Sequence, residues 1–131
     1  MKALIVDDMS TNGIVLKHIM KKVCETIPDM RTDPVQALKD CEHNQYDLII
    51  IDHYMPGLNG CEFAAAVRKI DGYVNVPILM VTSAEAVEVC VEAFKSGVTD
   101  FLSKPVQIDE FRMRVALAIS SGHDVKNHHA A

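Results

Sequence analysis

Three short apolar runs organise the chain: Ala3-Leu4-Ile5-Val6, Leu48-Ile49-Ile50-Ile51 and Ile78-Leu79-Met80-Val81. They are continuous rather than alternating, the pattern of strands covered on both faces in a parallel sheet. Spacing predicts two weaker strands at Thr26–Met30 and Thr99–Leu102, and Pro28 gives the first an edge position. Between the runs, apolar residues recur with helical period. Val15, Leu16, Ile19, Met20 and Val23 follow Ser10, an expected N-cap. Asp33-Pro34 reads as N-cap and first-turn proline of a second helix through Ala37, Leu38 and Cys41. Asn59 and Glu62 have capping-box spacing ahead of Phe63, Val67 and Ile70. A fourth stripe, Val87, Cys90, Val91 and Phe94, stops at Gly97, and a fifth runs Ile108, Phe111, Val115, Ala118 and Ile119. Five β-α units joined by right-handed crossovers predict an α/β fold, an open, doubly wound parallel sheet with helices on both faces.

The length of 131 residues suits one domain with its own core. The expected domain is 1–121; residues 122–131 lack apolar period and read as a C-terminal tail or linker stub. A net charge of −5 argues against direct nucleic-acid binding by this segment. Cys24, Cys41, Cys61 and Cys90 form no C-x-x-C pair, so they are expected as reduced thiols rather than a zinc or redox site. No apolar run has membrane-spanning length and no signal-peptide pattern opens the chain, so the expected location is cytoplasmic, away from membranes.

The informative polar residues follow the apolar runs. Asp7 and Asp8 follow the first strand, Asp52 the third, Thr82 and Ser83 the fourth, and Lys104 the fifth. Open α/β sheets place ligands at these carboxyl ends, and an order of 2-1-3-4-5 makes the four strands neighbours. Three gathered carboxylates repel, by roughly 3 kcal/mol per pair at about 5 Å and an effective dielectric of about 20. One lysine does not neutralise three acids, so a divalent cation is the expected relief. Oxygen ligands favour Mg²⁺, with Mn²⁺ as a substitute. A carboxylate beside such an ion and a lysine is a plausible phosphoryl acceptor.

Val6-Asp7-Asp8, the segment from Ile51-Asp52-His53-Tyr54 to Asn59-Gly60, Val81-Thr82-Ser83-Ala84 and Phe101-Leu102-Ser103-Lys104-Pro105 occur in order at suitable spacing. Together they resemble the signature of response regulator receiver domains of two-component systems, the chemotaxis-regulator-like family. The resemblance covers roughly Lys2 to Ser121. It implies a flavodoxin-like fold and a phosphoacceptor at Asp52, charged by a sensor histidine kinase or a histidine phosphotransfer protein. It implies Mg²⁺ bound by Asp8, Asp52 and the backbone carbonyl of Tyr54, with Asp7 acting through water. Thr82 and Phe101 match the family's switch pair, Lys104 its phosphoryl-binding lysine, and the Lys104-Pro105 peptide is typically cis there. Signals would leave through the fourth helix, fifth strand and fifth helix, toward a partner, a C-terminal output domain or a phosphorylation-dependent homodimer. Such a protein is not a turnover enzyme, beyond self-phosphorylation from small donors and slow self-dephosphorylation.

Two rival readings carry different chemistry. A haloacid-dehalogenase-like phosphatase also uses an aspartate nucleophile, Mg²⁺, a hydroxyl and a lysine, but needs an acid two positions after the nucleophile, where Tyr54 stands. A degenerate receiver would act as a phosphate-independent docking module; the complete acid, hydroxyl and lysine set argues against it.

Overall fold

The computed structural model describes residues 1–83 and 87–130, and at 87–90 and 121–130 the helical backbone alone. Ala84 of the Thr-Ser-Ala motif and Ala131 lie outside the described residues. Five strands, β1 (Ala3–Val6), β2 (Asp29–Arg31), β3 (Leu48–Ile51), β4 (Ile78–Thr82) and β5 (Asp100–Ser103), alternate with five helices. The helices are α1 (Ser10–Cys24), α2 (Pro34–His43), α3 (Gly60–Arg68), α4 (Val87–Ser96) and α5 (Ile108–Ala130). All strand pairs are parallel, in the order β2-β1-β3-β4-β5. This is the flavodoxin-like order.

Side-chain alternation along the strands builds two cores. Leu4, Val6, Ile49, Ile51, Ile78 and Met80 face Ala37, Cys41, Phe63, Val67 and Ala93 of α2, α3 and α4. Ala3, Ile5, Leu48, Ile50, Leu79 and Val81 face Leu16, Ile19 and Met20 of α1 and Phe111, Val115 and Ala118 of α5. Strands buried on both faces have no polar side to alternate with, which accounts for the unbroken apolar runs.

Asp33 caps α2 by accepting from the Val35 N–H at 2.9 Å, with Pro34 in the first turn. Asn59 and Glu62 form a complete capping box on α3. Elsewhere the boundaries move. Ser10 is the first residue of α1 and not its cap; Met9 holds that position without a side-chain bond. β2 starts only at Asp29, because Pro28 offers no donor to the ladder, and it lies at the sheet edge. Val15, expected toward the core, is 55% exposed. The backbone of α5 stays helical past Ser121, where the apolar period stops.

Candidate functional site

The ladder continues just beyond the strand ends and sets the polar residues in place. Asp7 N–H donates to the Arg31 carbonyl at 3.1 Å, Asp52 N–H to Val6 at 3.0 Å and Lys104 N–H to Thr82 at 2.9 Å. Asp7, Asp8 and Asp52 are thereby gathered: one carboxylate oxygen from each lies within 4.8 Å of the others. Asp7, Asp52 and Thr82 are buried and Asp8 half-buried.

Each buried acid has one oxygen engaged by the chain just after it. Asp7 Oδ1 accepts from the Met9 N–H at 3.0 Å, and Asp52 Oδ1 from the His53 N–H at 2.8 Å. The other two oxygens share one lysine. Lys104 Nζ lies 3.3 Å from Asp52 Oδ2, a hydrogen bond, and 3.6 Å from Asp7 Oδ2, where charge attraction remains without one. Asp7 Oδ2 is buried and has no hydrogen-bond partner. Desolvation pushes the Asp52 carboxyl above its usual range; Lys104 pulls it back, and the Asp7 charge pushes it up further.

A buried carboxylate oxygen with no donor, inside an oxygen-only set of three acids, fits a small hard cation. It does not fit an empty structural pocket, since buried polar atoms are ordinarily paired. The three acids, Thr82 and Lys104 therefore reach one edge of the sheet. The Tyr54 side chain, of which only the backbone carbonyl is expected at the site, is 55% exposed with its ring edge-on to His53. Phe101 lies within β5 opposite Met80. Phe101 is half-buried, its ring 6.2 Å from that of Phe94 on α4 at an interplanar angle of 73°. The Lys104-Pro105 peptide is cis.

Two residues make contacts that sequence reasoning does not supply; strand alternation says of His53 only that it points away from the acceptor. His53 is buried and its Nδ1 meets Cys61 Sγ. Arg68 reaches four backbone and side-chain oxygens outside α3. Neither had a local signal: each contact depends on how α3 docks, which no spacing encodes.

The chain belongs to the response regulator receiver domain family, whose model matches residues 3–116. It is similar to the chemotaxis protein CheY of Pseudomonas aeruginosa, 32% identical over 105 residues, 80% of this chain and 85% of that protein. It is 33% identical over 115 residues, 85% of the chain, to the cyclic di-GMP phosphodiesterase response regulator RpfG of Xanthomonas campestris, of which it spans only 30%. Among solved structures, the receiver domain of a sensor histidine kinase from Pseudomonas aeruginosa PAO1 superimposes with a TM-score of 0.82 at 24% identity. That match covers 91% of this chain and 97% of that one, and that domain carries a magnesium ion coordinated in its active-site cleft. Among the described residues no helix is long and apolar enough to cross a membrane.

Proposed function

We propose that this receiver accepts a phosphoryl group on Asp52 from a histidine kinase or histidine phosphotransfer protein, in a Mg²⁺-dependent reaction. The observation that carries the reading is the buried Asp7 oxygen without a donor, facing Asp52 across a single shared lysine. Asp7, Asp8, Asp52 and the Tyr54 carbonyl would hold the ion, as would suit Mn²⁺ also. Bound there, it supplies positive charge against the acids and the transferring oxygens.

The chain's own groups do the rest. Asp52 is the nucleophile: a carboxylate oxygen forms the O–P bond as the donor's N–P bond breaks and imidazole leaves. Lys104 holds Asp52 in line before transfer and pairs with a phosphoryl oxygen after it. Thr82, at the end of β4, would donate its hydroxyl to another, and Phe101 would follow it inward against Phe94 and the core under α4. Half-exposed Phe94, Met113 and Leu117 then offer an apolar surface to a partner, a second copy or an output domain. The relative RpfG is much longer than this receiver, and residues 122–131 are read as a C-terminal tail or linker stub.

Incubation with acetyl phosphate tests the reading. Wild type with Mg²⁺ is expected to gain one acid-stable, hydroxylamine-labile acyl phosphate, lost with a chelator and absent in Asp52→Asn. Undiminished labelling of Asp52→Asn would remove the assignment, and wild type that never labels would leave a docking module.

A further inference from the structure

His53 and Cys61 take no part in the chemistry above. Their Nδ1 and Sγ atoms lie 3.6 Å apart in a buried position between the loop after β3 and the start of α3. Glu92, on α4, brings a carboxylate oxygen, so that three donor atoms lie within 4.8 Å of one another. Gly60 makes the approach. A Cβ there would stand 2.5 Å from the Asp52 carbonyl oxygen and 2.9 Å from the His53 Cα. Only glycine lets α3 begin this close to the loop, and its N–H donates to the His53 carbonyl at 2.9 Å. The next residue is Cys61.

We propose that His53, Cys61 and Glu92 form a second metal site, specific for a borderline-soft divalent ion such as Zn²⁺. Zn–N bonds of about 2.0–2.1 Å and a Zn–S bond of about 2.3 Å, at the tetrahedral angle, separate nitrogen from sulfur by about 3.5–3.6 Å. The imidazole and thiol already stand at that separation. Imidazole, thiolate and carboxylate are a zinc-type donor set, whereas Mg²⁺ takes oxygen and keeps its water. The acid site and this one therefore select different ions. Glu92 is exposed while His53 and Cys61 are buried, so an ion enters from solvent past the carboxylate and is closed over by it. The fourth position falls to water.

Occupancy would join the loop that follows Asp52 to α4, the helix whose Phe94 touches Phe101. A soft metal would thereby restrain the helix that the phosphoryl group is proposed to influence. The metal site itself stands whether or not Asp52 is phosphorylated.

The test is a Co²⁺ titration of the reduced full chain in excess Mg²⁺, followed by displacement with Zn²⁺. Expected are tetrahedral cobalt bands with a thiolate-to-cobalt charge-transfer band, saturating at one ion per chain and removed by Zn²⁺. Cys61→Ala and His53→Ala should lose the charge-transfer band, and Asp52→Asn should keep it. Glu92→Gln, at an exposed position that spares the fold, should weaken binding at least about tenfold. Wild type without a thiolate band overturns the proposal and leaves an S–H···N hydrogen bond. So does a band retained in Cys61→Ala, a band lost in Asp52→Asn, or unchanged affinity in Glu92→Gln.

Discussion

The two ends of the sheet treat polar groups in opposite ways. At the amino edge most close on one another; the buried exception among the described residues is Arg114 Nε, on the arginine paired with Asp100. Arg68 donates to the Gly97 carbonyl at 2.7 and 3.0 Å, to Tyr73 at 2.7 Å and to Val76 at 2.6 Å. The Tyr73 hydroxyl donates to the Asn44 carbonyl and accepts from the Tyr46 N–H, while the Tyr46 hydroxyl donates to Asp29 at 2.7 Å. At the carboxyl edge three acids are gathered, two of them share Lys104, and one buried oxygen has no donor. Stability is built where donors and acceptors match. Chemistry is left where they do not, because an unspent charge is what a ligand can bind.

Replacing Arg68 breaks that comparison hardest. Arg68→Met keeps the apolar stem but leaves three carbonyls short of a donor, each unmet bond costing about 1–3 kcal/mol. A loss of about 3 kcal/mol or more is expected in urea unfolding; under about 1 kcal/mol would mean the amino edge is not the anchor described.

At the other end the sign reverses. Without divalent ions, Asp52→Asn should stabilise the fold by up to about 3 kcal/mol, since repulsion with both Asp7 and Asp8 is removed and only the Lys104 ion pair is lost in exchange. Burial raises the Asp52 pKa, so the folded state favours the protonated acid. Its stabilising share is present below the ordinary carboxyl range and lost as pH rises through the raised value. The advantage of Asp52→Asn is therefore greatest near neutrality and fades on acidification. Saturating Mg²⁺ should offset most or all of that advantage, stabilising wild type by about 2.7 kcal/mol at a hundredfold excess over its dissociation constant. Thermal melts with and without Mg²⁺, across pH, check both signs.

The smallest effect sharpens the contrast. Tyr46→Phe deletes one hydrogen bond to Asp29 and should cost about 1 kcal/mol. Burial and then that bond hold the phenol far above its ordinary pKa. The contribution is complete below about pH 10 and lost only as pH rises through the raised value. Paired melts of wild type and Tyr46→Phe should thus differ by a constant amount from about pH 6 to pH 9, unlike the Asp52 pair.

Much of the fold was legible because it is written in local terms. Both-face burial makes Leu48–Ile51 and Ile78–Val81 apolar throughout, and the Asn59 and Asp33 caps act within a few residues. The acids, Thr82 and Lys104 were legible because parallel strands deliver their ends to one edge whatever the register. What was not legible needs two distant elements to meet. Arg68 reads as a last-turn basic residue on α3, yet it serves a carbonyl 29 residues on. The Cys61 thiol looked like any core residue until α3 set it beside His53. Ser10 has an ideal cap composition, but the chain leaves the sheet one residue too early for it.

The strand hydrogen bonds that run on through Asp7, Asp52 and Lys104 have one last consequence. The proposed acceptor, its neighbouring acid and its lysine are tied through their backbones to the frame of the molecule. Under the proposed reaction, substitutions around the site are expected to change rates through who can approach and what surrounds Asp52, more than through where its backbone stands.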